Sequence, residues 1–598
     1  MSTTVSDFIV SRLSAWGVER LYGYSGDGIN GFMAALRRAE QGPRLIQPRH
    51  EEVAAFMASG HAKFSDRVGV CVATSGPGAV HLLNGLYDAR KDHMPAVAIV
   101  GQQSRLSLGT DYQQEIDLIS LFKDVAGAYV QMVTAPAQAR HMIDQALRIA
   151  IAENTVTCVI LPNDIQDLPM ADPPAVHGAV FSGVGYRRPQ RIPAPADLDA
   201  AAEILERGER VAILAGAGVK HAVDELLALS ERLGAGIAKA ILAKAMVPDD
   251  APGVTGTIGL LGSEASEKMM EECDTLLLVG TRFPYAEFLP KSGQARAVQI
   301  DIAPQALGLR YPTEINLHGD AQATLAALNE RVTRNKDHRW RERLQGWIDD
   351  WWRITDERAA TDAMPINPQR VFQELSPRLP NDVLLCCDVG SATNWYARYL
   401  KIRRGMLGSV SGGLASMGNG VPYLLAAKFA HPHRPAVAMV GDGAMQMLGN
   451  QALITLAKYW HEWENPQCII LILNNRDLSQ VTWEQRVMEG DPRFATSQDL
   501  PDFAFDEYAR LLGFEGLRLE RAEEIERVWD QAFAADRPVV INAYTDGDVA
   551  PLPPHIDLEQ ARHYLTSMLK GDDSAPHHGR LSAKQLGRSL LGRHRKKT

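Results

Sequence analysis

The sequence predicts an α/β protein built as three successive doubly wound parallel-sheet domains. Two observations carry this. Short apolar strand-like runs alternate with helical patterns along the chain, the signature of parallel sheets with crossover helices. These runs end repeatedly in glycine or Ser-Gly, the punctuation of strand-to-helix turns. A length of 598 residues suits three or four ordinary domains. The predicted boundaries are 1–175, 190–335 and 360–550, followed by a tail, 551–598. The units are similar in size and order, without a clear sequence repeat.

Composition excludes several classes. Hydrophobic residues make up 45% and charged residues 22%, ordinary for a globular chain. A net charge of −10 gives no reason to expect nucleic acid. The 6 cysteines, at 71, 158, 273, 386, 387 and 468, form no CxxC pair and sit mostly in apolar runs. They read as reduced core residues of a cytoplasmic protein. The N-terminus lacks a basic region followed by an apolar one, and no apolar run approaches the roughly 20 residues of a membrane span.

In the first unit, strands are predicted at 69–74, 96–100 and 158–162, and an amphipathic helix begins within 48–64. That helix opens on Glu51 and Glu52, which point about 100° apart, so only one can face a given pocket. Taken alone, such a pair is usually a solvated face. Residues 171–196, rich in proline and glycine, read as a linker. The middle unit carries strands at 211–215, 275–279 and 297–301, and Leu214-Ala215-Gly216-Ala217-Gly218 begins like a dinucleotide loop. Position 221 is His, so the third glycine of that fingerprint is missing. A charged helical segment near 320–358, with Trp340, Trp347, Trp351 and Trp352, leads to strands near 383–387, 436–440, 468–473 and 538–543.

The most informative stretch is 441–475. Gly441-Asp442-Gly443-Ala444 closes one strand, and Asn474-Asn475 ends the next. A glycine turn that opens a helix exposes backbone N–H groups, a natural seat for a diphosphate. A carboxylate and an amide oxygen at neighbouring strand ends suit Mg²⁺. This spacing resembles the GDG…NN signature of the thiamin diphosphate enzymes that decarboxylate 2-keto acids, closest to pyruvate oxidase and pyruvate:quinone dehydrogenase, next to acetolactate synthase. The resemblance covers roughly residues 1–560. It implies Asp442, Asn475 and the carbonyl of Asp477 as metal ligands. One departure is Tyr459–Pro466, which lengthens the gap and reads as a surface extension, cheap in loop entropy.

The resemblance assigns Glu51, which directly follows His50, as the catalytic glutamate that drives the cofactor's pyrimidine to its imino tautomer, with Glu52 left in solvent. Tyr22–Asp27, with Ser25 and Gly26, and Thr74–Gly78, with Pro77, resemble the two pyrimidine-side loops. Asp111–Glu115 resembles a substrate loop, with Gln114 over the reacting centre and Gln113 where many relatives carry Phe. Gly412–Gly420, including Gly413 and Leu414, matches the loop that wedges an apolar residue, here Met417, between the cofactor's rings. Asp388-Val389-Gly390 is a further strand-end match. The segment Arg476–Glu484 lacks the family's aliphatic-glycine-aromatic pattern.

Pieces of the middle unit resemble the flavin domain of pyruvate oxidase: Thr257–Gly262, Gly280-Thr281-Arg282-Phe283-Pro284-Tyr285, Gln299–Ile302 with Asp301, and Gly319-Asp320. Together with Gly216 and Gly218 these imply FAD, although relatives without redox chemistry retain the domain as structure. The implied activity is decarboxylation of a 2-keto acid, most simply pyruvate, with oxidation of the enamine through FAD to a quinone or oxygen. Two alternatives stay open: an acetolactate synthase-like carboligase, and a non-catalytic nucleotide-binding relative. The family's sites lie between subunits, so a homodimer or homotetramer is expected. The basic tail, with Arg580, Lys584, Arg588, Arg593, Arg595, Lys596 and Lys597 among leucines, could meet a membrane surface or stay disordered.

Overall fold

The computed structural model describes residues 3–172, 177–333, 337–551, 558–570 and 572. It contains three six-stranded sheets, every strand pair of which is parallel. The first comprises β1 (Arg20–Gly23), β2 (Arg44–Ile46), β3 (Gly69–Ala73), β4 (Ala96–Gln102), β5 (Val130–Met132) and β6 (Val156–Pro162), in the order β2-β1-β3-β4-β6-β5. The second comprises β7 (Val211–Ala215), β8 (Gly236–Lys239), β9 (Val254–Thr257), β10 (Thr275–Val279), β11 (Arg296–Asp301) and β12 (Ile315–His318), ordered β12-β11-β10-β7-β8-β9. The third comprises β13 (Leu384–Cys387), β14 (Leu407–Ser409), β15 (Ala436–Gly441), β16 (Cys468–Asn474), β17 (Glu515–Leu519) and β18 (Val539–Tyr544), ordered β14-β13-β15-β16-β18-β17.

The central strands are buried on both faces, because helices cover both sides of each sheet. β3, β4, β6, β10 and β16 are buried along their whole length. The first and last units share one apolar core. The helix Glu51–Ser65 of the first unit packs on the helix Gly420–Ala430 of the last, with Phe56 edge-on to Tyr423. All six cysteines are buried and unpaired. Trp340, Trp347 and Trp351, on the helix Arg339–Ala359, pack into the middle unit's core, and Trp340 Nε1 donates to Val211 O.

Three segments differ from the sequence reading. The described part of the linker is tied to the first unit: Arg12 donates to Ser182 O, and Arg188 to Ile151 O. The stretch 459–466 is not merely a surface extension. Trp463 is buried against Phe429, and Lys428 Nζ bonds Asn465 O, which locks the loop to the core. Part of the tail is folded: helix Leu558–Leu569 lays Tyr564 on Trp483, ring centres 5.7 Å apart. The basic residues from Arg580 onward lie outside the described residues. Among the described residues, no helix is long and apolar enough to cross a membrane.

Candidate active site

The third sheet builds one half of the site. β15 ends in Gly441, and a helix begins at Asp442 and continues beyond Ala444. Asp442 is 3% exposed and accepts the backbone N–H of Arg476 (2.6 Å) and of Gly443 (2.9 Å). Burial pushes its carboxyl up to about 7, against the pull of these amides. Across the β15–β16 ladder, Asn475 turns its amide nitrogen to Ser479 Oγ, while its carbonyl oxygen accepts Asp477 N–H. The Asp477 side chain is engaged by Thr482 and Arg493, which leaves its backbone carbonyl as the group to consider for a cation. A buried acid beside an amide oxygen is a donor set that fits Mg²⁺.

Met417 reaches the same turn. A β-carbon built on Gly443 would lie 3.3 Å from Met417 Cε and 2.9 Å from Leu478 Cδ2, so the Met417 side chain ends directly over this glycine. The loop is fixed on its C-terminal side by Asp388, which accepts Gly418 N–H (2.8 Å) and Gly420 N–H (2.7 Å). Burial raises the Asp388 carboxyl to about 6.

The other half lies at the strand ends of the first sheet. His50 caps the helix Glu51–Ser65, its Nδ1 accepting Glu52 N–H, which places Glu51 in the first turn. Glu51 is 8% exposed, and its Oε2 lies 3.0 Å from His81 Nδ1. Gln114 sits over the Ser75–Pro77 loop, 3.4 Å from Ser75 Oγ, with a φ of 64°. Gly26 packs on Thr74, joining the two loops, while Ser25 and Pro77 face outward. Glu52 is not left in solvent: it is half-buried and accepts Asn84 Nδ2 at 2.6 Å, and Asn84 in turn donates to Ser416 Oγ.

The middle unit borders a cleft of about 2940 Å³. One wall is formed by Gly216, Gly218, Gly280, Thr281, Arg282 and Phe283, with Asp301 and Asp320 beyond; the other includes Gly412, Gly413, Asn394 and Gln480. Neither Glu51 nor Asp442 lines it. Gly216 N–H and Gly218 N–H donate to Val279 O and Gly280 O, and the two turns pack backbone to backbone. These glycines therefore serve close packing, and their amides are already used. Asp301 is buried, its carboxyl raised by desolvation, with one oxygen on Ala303 N–H. Asp320 caps the helix Ala321–Arg331. Arg282 meets His93 of the first unit at 2.6 Å. A cleft of this size, with Arg282 and Asp301 in its lining, has room for a dinucleotide and a cation to meet its phosphates.

Asn394 and Asp92 escaped the sequence reading. Asn394 Nδ2 donates to Gln480 Oε1 (2.9 Å), and Gln480 Nε2 donates to Glu484 Oε1 (3.0 Å). All three line the cleft, and Gln480 and Glu484 belong to the segment in which polar residues stand in place of the family's aliphatic-glycine-aromatic pattern. Asp92, buried between units, carried no motif at all.

Comparisons with known proteins agree with this geometry. Residues 3–121 match the Thiamine pyrophosphate enzyme, N-terminal TPP binding domain; residues 198–328 match its central domain; and residues 388–543 match its C-terminal TPP binding domain. The chain is 35% identical over 567 residues to YdaP of Bacillus subtilis (strain 168), named as thiamine pyrophosphate-containing; the match covers 95% of this chain and 96% of that protein. It is 31% identical over 553 residues to a pyruvate oxidase of Lactiplantibacillus plantarum, covering 91% and 89%. It is 28% identical over 566 residues to an acetolactate synthase of Arthrospira platensis, covering 90% and 94%.

Proposed function

The chain belongs to the thiamine pyrophosphate enzyme family, and from that premise we propose that it decarboxylates a 2-keto acid, pyruvate first among candidates, and passes the electrons through FAD to a quinone or oxygen. The observation that carries the redox part is the 2940 Å³ cleft, which runs from Arg282 and Asp301 to Gly412 and Gly413 of the loop bearing Met417. A flavin there would border the loop that bears Met417.

Thiamin diphosphate, when bound, supplies a nucleophilic carbon and an electron sink for the departing CO₂. The chain's own residues do the rest. Asp442, Asn475 and the Asp477 carbonyl would hold Mg²⁺, and the amides after Gly441 would take the diphosphate. Met417 would hold the cofactor bent. Glu51, nearly buried, would exchange a proton with the pyrimidine ring. Gln114 and Glu484 supply polar groups toward the substrate side. Glu51 contacts its own unit through His81, whereas Met417 covers the diphosphate turn of the last unit. Sites shared between subunits of a homodimer or homotetramer belong to this proposal.

The test is a visible spectrum of purified protein followed by anaerobic addition of pyruvate. A bound flavin that bleaches as CO₂ is released supports the oxidase reading. CO₂ release with an unchanged flavin, or without one, and formation of a condensed keto acid would favour a carboligase.

A further inference from the structure

The loop that bears Met417 is held on its N-terminal side by the first unit of the same chain. Asp92 is 2% exposed and gives both carboxylate oxygens to this loop: Oδ2 accepts Gly412 N–H (3.0 Å) and Oδ1 accepts Gly413 N–H (2.6 Å). Lys63 Nζ, on the Glu51–Ser65 helix, pairs with Asp92 Oδ2 at 2.5 Å and donates to Val410 O at 2.9 Å. Asn84 Nδ2 reaches Ser416 Oγ at 2.9 Å while also donating to Glu52 Oε1. The Lys63–Asp92 pair extends to Tyr423, Asp88 and Ser59, all buried.

Four loop positions, 410, 412, 413 and 416, are thus fixed from the first unit, immediately before Met417. Asp388 fixes 418 and 420 from the other side. Charge-assisted bonds to backbone amides are short and directional, so Asp92 sets the loop's height as well as its existence. The arrangement is also costly unless it serves something. A lysine and two carboxylates lose their water here, and their pairing offsets that in part, Asp88 Oδ1 being left without a hydrogen-bond partner.

We propose that Asp92 and Asn84 are positioning residues for Met417: through Gly412, Gly413 and Ser416, the first unit sets how Met417 stands over Gly443, and so the contact between the two rings of thiamin diphosphate. The inference rests on Met417 acting as the wedge. It also means that the helix carrying Glu51 supports the wedge of its own chain, so that a shift of this helix is felt at both half-sites.

The test uses the full chain with Mg²⁺ and thiamin diphosphate, and follows deuterium exchange at the cofactor's thiazolium carbon alongside cofactor affinity. A Lys63→Met/Asp92→Asn double variant removes the ion pair without leaving its lysine unpartnered. Exchange about 10²-fold slower, with affinity near that of the unaltered protein, is expected; a structural role alone would not separate the two. Unaltered exchange in this variant, while Met417→Ala slows it, overturns the positioning role and leaves the wedge intact. Unaltered exchange in Met417→Ala removes the wedge itself. Should the double variant fail to fold, Asn84→Ala leaves the buried ion pair in place and carries the same test: slowed exchange supports the proposal, and an unaltered rate overturns it.

Discussion

Glu51 Oε2 and His81 Nδ1 stand 3.0 Å apart, and the imidazole of His50 lies 4.4 Å from that of His81. The glutamate is nearly buried, whereas the His81 side chain is 43% exposed. The carboxylate is therefore held by a group that water can reach. Replacing Glu51 by Gln keeps size and shape but removes the proton acceptor. Turnover of the 2-keto acid is expected to fall about 10²–10⁴-fold, with thiamin diphosphate still bound. Activity within a factor of about two of the unaltered enzyme would remove Glu51 from this role.

Arg282 offers the middle-unit cleft a cation already oriented by His93. Arg282→Ala is expected to weaken flavin retention by about tenfold or more, since bonds to charged groups carry roughly 1.5–3 kcal/mol. Flavin released on gel filtration measures this directly. Unchanged retention would place the cofactor elsewhere or remove it from the account.

The three sheets were legible because their central strands are continuous apolar runs ending in turn residues. β2, β5 and β14 have three residues each and are partly open to solvent, so they left no pattern to read. Asp442 and Asn475 were visible because both terminate strands that pair in register. Glu52 was misplaced because its burial comes from Asn84 and Ser416, the latter 364 positions away (416 − 52). Asp320 lines the cleft and also caps the helix Ala321–Arg331, a use that an Asp just before a helix often has. Trp463 looked like part of a surface loop because the sequence does not disclose that Phe429 and Lys428 wait beneath it.

His61 gives stability a dependence on pH. It is buried, meets Tyr22 OH at 3.0 Å, and is pushed down to about 4, first by burial and then by Arg20 and Arg67, with Glu19 opposing and His431 adding. Below about pH 6.5 the unfolded chain protonates this histidine while the folded chain does not. Its contribution therefore declines as pH falls from about 6.5 to 4, by up to roughly 3 kcal/mol. In His61→Gln, this acid limb of the thermal-unfolding curve is expected to flatten. An unchanged slope would assign it to other groups.

The account depends most on a Mg²⁺-dependent diphosphate site at Asp442 and Asn475, and calorimetric titration of thiamin diphosphate into metal-stripped protein tests it most directly. Heat of binding is predicted only after Mg²⁺ is restored, and is predicted to vanish in Asp442→Ala. Saturable binding in EDTA, or binding by Asp442→Ala equal to that of the unaltered protein, would contradict it.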